Sequence, residues 1–142
     1  MEGYLVKGPI SPEQVSADIA EIGNIQSAGG ISIFLGQVRD DITNGRKVSG
    51  IEYSAYEQMV SGVIGAIEKD IFTRFSDVLL LKIRHSTGLV SAGEISLEVI
   101  VAAGHRDQAT TACREAVELI KEKLPVWKKE YLDDSTYTWK EN

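Results

Sequence analysis

One cysteine, two histidines and no long apolar run set the first limits on this 142-residue chain. A lone Cys113 has no partner for an internal disulfide, which places the protein in a reducing compartment, the cytoplasm. Cys113, His85 and His105 are too few and too widely separated for a standard zinc site. No stretch approaches the ~20 apolar residues that a bilayer-spanning helix needs. The start, Met1-Glu2-Gly3-Tyr4-Leu5, lacks the basic residues and apolar stretch of a signal peptide. Gly88-Leu89-Val90-Ser91-Ala92-Gly93 has glycines but not the lysine or spacing of a phosphate-binding loop. Positive charge is also short. A net charge of −6 excludes general affinity for nucleic acid, which depends on neutralising phosphates.

What is present describes one ordinary domain over residues 1–142, 43% hydrophobic and 25% charged. Residues 3–8 have some strand character. Ser11-Pro12-Glu13-Gln14 reads as a helix start, with Ser11 as N-cap, Pro12 first in the helix and Gln14 closing a capping box. Val15, Ile19 and Ile22 share a face, and Gly23 is the stop. Ile31, Ile33 and Leu35 alternate with Ser32 and Phe34 as in a half-buried strand. Residues 39–50 are polar around Asn44-Gly45, either a long hairpin tip or a mobile loop. A strand at 51–56 precedes a helix carrying Val60, Val63, Ile64, Ile67 and Ile71. A strand from Val78 to His85 is followed by a turn region at 86–93, then by the alternation of Ile95, Leu97, Val99 and Val101. The last helix runs from near Asp107 to before Pro125, with Ala109, Ala112, Cys113, Ala116, Val117 and Ile120 as its buried stripe. Strands interleaved with three main helices and a hairpin give an α+β fold with a largely antiparallel sheet.

Charge is unevenly placed. Residues 104–130 hold six Lys/Arg against five Asp/Glu, so that segment is +1 and the remainder −7. A local basic site in an acidic protein suits a specific small anion. His105 and Arg106 stand at the start of the last helix, where free N–H groups and the helix dipole attract anions. They serve equally well as a strand-end cap and a surface ion pair. Lys121 and Lys128 are the candidates for chemistry, provided burial or neighbouring cations bring a lysine pKa down. A solvated helix end is the plainer alternative. Arg39 opens the polar loop, either as a substrate clamp or as an exposed residue. Phe34 faces away from Ile33 and Leu35, toward a pocket, an interface or a second layer of core. Cys113 sits on the alanine stripe as a core residue.

Taken together, several segments carry a family resemblance. They are Phe34-Leu35-Gly36-Gln37-Val38-Arg39-Asp40, residues 51–59, Arg84-His85-Ser86-Thr87-Gly88, Ala103-Gly104-His105-Arg106, Lys121, Pro125-Val126-Trp127-Lys128-Lys129-Glu130 and residues 135–140. In this order and spacing the chain resembles the catalytic (large) subunit of molybdopterin synthase. The resemblance implies an α/β-hammerhead fold, and a homodimer within a heterotetramer whose small ubiquitin-like subunits carry sulfur as a thiocarboxylate on a C-terminal Gly-Gly. The implied reaction transfers two sulfurs to cyclic pyranopterin monophosphate, forming the dithiolene of molybdopterin for molybdenum cofactor biosynthesis. No metal and no cofactor are implied. Carried over by position, Lys121 and Lys128 are catalytic, and His105, Arg106 and Arg39 hold phosphate or pterin, across a dimer interface. Glu130 orients a lysine or binds a pterin edge, and Phe34 packs near the incoming tail or the subunit boundary. Two departures stand out. Val126 replaces a common Phe, and the basic C-terminal extension of many members is absent, so that its contribution is lost or falls to Lys140. The alternative is a non-catalytic scaffold that binds a ubiquitin-like tail or an anionic metabolite.

Overall fold

In the computed structural model, which describes residues 3–140, eleven elements build one sheet with helices on both faces. In chain order they are β1 (Leu5–Lys7), α1 (Pro12–Ile22), β2 (Gly30–Gln37), β3 (Ile42–Thr43), β4 (Arg46–Ala55), α2 (Glu57–Arg74), β5 (Val78–Ser91), β6 (Ile95–Ala103), α3 (Arg106–Lys123), β7 (Val126–Leu132) and β8 (Tyr137–Lys140). The strand order is β2-β6-β5-β4-β7-β8, antiparallel throughout, with β1 added in parallel to β5 and β3 paired to β4. The expected α+β class with three helices and a mainly antiparallel sheet is the one observed. No helix among the described residues is long and apolar enough to cross a membrane.

β6 holds the centre, with eight of its nine residues buried. Its Leu97, Val99, Val101 and Ala103 face α2 and α3 in the main core, while Ile100 and Ala102 pack with Ile22 of α1 on the other side. The small residues Ala109, Ala112, Cys113 and Ala116 let α3 lie close on the sheet, as its spacing predicts. β5 is shared between two partner sets. Val78–His85 pairs with β6, and Gly88–Ser91 pairs with β4. The expected turn at 86–93 is therefore largely strand, because Gly88 at φ +79° absorbs the local irregularity without ending the pairing.

Three further expectations change. Ser11 Oγ accepts from the Gln14 backbone N–H at 3.0 Å, but the Gln14 side chain donates to Asp18 instead of closing the box. The buried face of α1 is accordingly Val15, Asp18 and Ile22, with Ile19 exposed. On β2 the covered side is Ser32, Phe34 and Gly36, packed toward α3. Ile31, Ile33 and Leu35 remain 48%, 39% and 39% exposed, because α1 covers β6 and β5 on that face but stops short of the edge strand. Finally, residues 126–132 and 137–140, not anticipated as strands, extend the sheet past β4.

The polar segment 39–50 resolves into a two-residue hairpin. Asn44 and Gly45 both have positive φ (54° and 76°), the conformation that joins twisted antiparallel strands, and Ile42 and Thr43 pair with Lys47 and Arg46.

Candidate active site

Pro125 creates the site by stopping α3. A residue before proline is driven out of the helical region, and Leu124 is extended at φ −70°, ψ 127°. The chain reverses there and enters β7, whose pairing with β4 sets Lys128 opposite Tyr53 and Glu130 opposite Ile51. Lys128 thereby faces the same side as Lys121 in the last turn of α3. Between them lies a cleft of about 210 Å³. Its other walls come from the end of β2 and the loop beyond it (Gly36, Gln37, Arg39, Asp41) and from Lys140 on β8. Tyr53, His85 and Ser96 line it from the sheet.

Four cations, Arg39, Lys121, Lys128 and Lys140, meet two carboxylates, Asp41 and Glu130, around this cleft. Glu130 is buried, takes a 3.1 Å ion pair from Lys140 Nζ and accepts a 3.4 Å hydrogen bond from Thr43 Oγ1. Arg39 is exposed and paired with Asp41 at 3.2 Å. Burial pulls the Lys128 pKa down, and the charges of Lys121 and Lys140 add to the effect against the opposing pull of Glu130. An amine so placed gives up its proton more readily than a free lysine. That is the direction in which a lysine becomes more useful for proton transfer.

The wall of the cleft formed by β4, β5 and β6 is uncharged. The Tyr53 hydroxyl donates to Ser96 Oγ at 3.0 Å, and burial raises its pKa. The His85 ring stands edge-on to Tyr53, centroids 5.1 Å apart at 81°. Burial lowers the His85 pKa to about 4, and Lys128 and Lys121 push the same way against its hydrogen bond to the Ser86 carbonyl. Sequence reasoning gave Tyr53, His85 and Ser96 no role in the site. The available signal was a polar group at a core-facing position in each of three apolar strands.

Of the residues singled out from the sequence, Lys121, Lys128, Arg39 and Glu130 come together here, and Lys140 joins them. His105 and Arg106 do not. They start α3 while Lys121 ends it, and sixteen residues of helix separate 105 from 121 by roughly 24 Å. The His105 side chain is 86% exposed, its Nδ1 lying 3.1 Å from Asp77 Oδ2, and Arg106 is exposed. One protomer therefore cannot bring this pair to its own cleft. Phe34 also lies elsewhere, in a shallow groove with Thr110, Cys113 and Arg114 against α3, because its face of β2 is the one the helix covers. The Cys113 thiol is buried, which raises its pKa and leaves it a poor nucleophile.

Known proteins share the sequence and fold of this chain. The molybdopterin synthase catalytic subunit of a Nostoc species is 35% identical over 131 residues, covering 92% of this chain and 76% of that protein. The crystal structure of molybdopterin synthase from Staphylococcus aureus superposes with a TM-score of 0.84 at 29% identity, over 100% of this chain and 99% of that one. A Helicobacter pylori structure, described as the protein-protein complex of subunits 1 and 2 of molybdopterin-converting factor, shares the fold at a TM-score of 0.80 and 19% identity, over 96% and 88% of the two chains. The family model described as MoaE protein matches residues 5–123, from β1 to the lysine-bearing end of α3, and on that span this chain belongs to the MoaE protein family.

Proposed function

We propose that this chain is the catalytic subunit of a molybdopterin synthase. It transfers two sulfurs in succession, each from the C-terminal thiocarboxylate of a small ubiquitin-like subunit, to cyclic pyranopterin monophosphate, forming the dithiolene of molybdopterin. The observation that carries this reading is the meeting of Lys121, Lys128, Lys140 and Arg39 at one cleft of an acidic protein. A phosphate and a thiocarboxylate repel each other as they approach. Fixed cations in a partly enclosed cleft offset that repulsion without having to reorganise during the reaction.

The roles follow from position. Lys121, at the rim, meets the incoming thiocarboxylate and the reacting carbon. Lys128, deeper and with its pKa lowered, moves the proton or stabilises the developing charge. Glu130 holds Lys140 in place, and Arg39 takes the phosphate. His105 and Arg106 add to the anion site of a second copy of the chain, a reading supported by their distance from their own cleft. Phe34 supports the seat of α3 near that boundary. Sulfur arrives on the partner, which suits a chain whose only thiol is buried; the Helicobacter pylori protein of this fold was likewise solved with a second subunit. Residues 1–142 act as one large-subunit domain, and the lone thiol fits a cytoplasmic setting.

Reconstitution tests this: the chain, a thiocarboxylated small subunit and the cyclic precursor are assayed for molybdopterin. Lys121→Ala is expected to lower product formation about 100-fold or more while leaving partner binding and folding intact. Full turnover by that variant removes the assignment. A wild-type chain that binds the partner and makes no product is a scaffold.

A further inference from the structure

His85 is buried to 7% exposure on the sheet side of the cleft, at the point where β5 changes partners. Its Nδ1 lies 2.8 Å from the Ser86 carbonyl oxygen. A carbonyl only accepts, so Nδ1 carries the hydrogen, and in the neutral ring the lone pair then sits on Nε2. Nε2 has no hydrogen-bond partner among the described residues and is not sealed away from the cleft. The ring cannot easily turn. The edge-on contact with Tyr53 fixes its plane, and the Tyr53 hydroxyl is itself tied to Ser96.

The cleft is therefore divided. Its rim presents ammonium and guanidinium groups that suit anions, whereas this wall presents a lone pair, which an anion avoids. A substrate combining a phosphate with an uncharged, hydrogen-bearing heterocycle matches both halves. Resting on the function proposed above, we infer that His85 is a further substrate-binding residue, its Nε2 accepting a hydrogen bond from an N–H or O–H of the pterin. Burial and the charges of Lys121 and Lys128 keep the ring neutral, and hence an acceptor, at physiological pH. If the ring served the fold alone, phenylalanine would replace it without loss of pterin affinity.

His85→Phe keeps the ring contact and removes the Nε2 acceptor, together with the Nδ1–H bond to Ser86. His85→Gln restores an acceptor oxygen near the position of Nε2. In reconstituted synthase, His85→Phe is expected to raise KM for the cyclic pterin, and its Kd by fluorescence titration, about tenfold. Affinity for the small subunit and inhibition by inorganic phosphate stay at wild-type values, while the lost Nδ1–H bond to the Ser86 carbonyl lowers the thermal midpoint. His85→Gln is expected to lie within about threefold of wild type. An unchanged Kd in His85→Phe overturns the inference, as does a Gln variant no better than the Phe variant, or a fall in kcat alone. Should His85→Phe not fold, the wild-type protein answers directly. With only two histidines, ¹⁵N-histidine labelling resolves both rings, and the Nε2 resonance of His85 shifts on adding pterin but not on adding phosphate. No shift overturns the inference equally. A wild-type chain that makes no molybdopterin, yet loses pterin affinity on His85→Phe, counts against the proposed function and leaves His85 in place.

Discussion

Glu98, on the face of the sheet opposite the cleft, is fully buried and neither carboxyl oxygen has a hydrogen-bond donor. Arg84, which lies 3.3 Å from it, gives its well-formed bonds to Asp18 instead, at 2.7 and 2.8 Å. An ionised carboxylate in that position is costly, and burial together with the neighbouring Asp18 pushes Glu98 up to about 8. Burial acts on Asp18 too, but the hydrogen bonds from Arg84 and from protonated Glu98 outweigh it and hold Asp18 below the usual carboxylate range. One proton is thus shared by two acids under α1. The folded pKa of Glu98 lies above its unfolded value of 4.5, so the folded state keeps a proton the unfolded chain has lost. That contribution is whole below pH 4.5 and is lost as pH rises through about 8. Glu98→Gln supplies a permanent N–H donor. It is expected to flatten the fall in Tm that the shared proton predicts for the wild type between pH 4.5 and about 8, as followed by thermal denaturation; an equally steep fall in the variant contradicts the shared proton. The lysines offer a second residue-level test. Removing Lys140 takes one like charge from Lys128 and frees Glu130, and both changes raise the Lys128 pKa. If the unprotonated amine is the active form, Lys140→Ala moves the acidic limb of the kcat/KM profile to higher pH. A limb that stays put separates Lys128 from proton transfer.

Among the elements, α3 was the most legible, and the reason is mechanical. A helix lying on a sheet through one stripe needs small apolar residues at helical spacing, and all six that the spacing named are buried. The hairpin was legible in kind because Asn-Gly suits positive φ at both central positions. Gly45→Val forces a branched side chain into φ +76°, and is expected to destabilise the protein by about 1–2 kcal/mol in denaturant titrations. Because Thr43 is the hairpin's tie to Glu130, turnover should fall along with stability; unchanged values in both measurements would show that the tip is dispensable. Other elements were opaque for equally physical reasons. Alternation on β2 shows that its two faces differ, but not which of them a helix covers. β7 sends Lys128 and Glu130 into a polar cleft rather than a core, so it lacks the apolar alternation that marks a strand. The candidate site was readable only in part because spacing brings Lys121 and Lys128 together through Pro125, whereas Tyr53, His85 and Ser96 are neighbours only once three strands have paired.

At the scale of the whole molecule, the distance between the two cationic groups becomes an argument about assembly. β2 and α3 both run from one corner to the cleft. Gly30 packs so closely on the start of α3 that a Cβ there would come within 3.0 Å of the Arg106 Cα, and Gly36 and Gln37 line the cleft at the other end, roughly 23 Å away. The side of β2 carrying Ile31, Ile33 and Leu35 is apolar and exposed. Two copies meeting there about a twofold axis, with their β2 strands antiparallel, would cover that stripe and set His105 and Arg106 of each beside the cleft of the other. Such an arrangement makes every complete site a joint product of two chains, which mixing experiments detect. Lys121→Ala disables the cleft of its own chain, and His105→Ala/Arg106→Ala disables the cleft of its neighbour, so either variant alone is expected to be nearly inactive. In a hybrid dimer both lesions fall on one site and the other site is intact. Unfolded together and refolded at equal concentrations, the two inactive variants should recover about a quarter of wild-type activity, half the dimers being hybrids with one working site each. If the mixture stays as inactive as its components, His105 and Arg106 do not reach across, and the anion must be held by Arg39 and the lysines of a single chain.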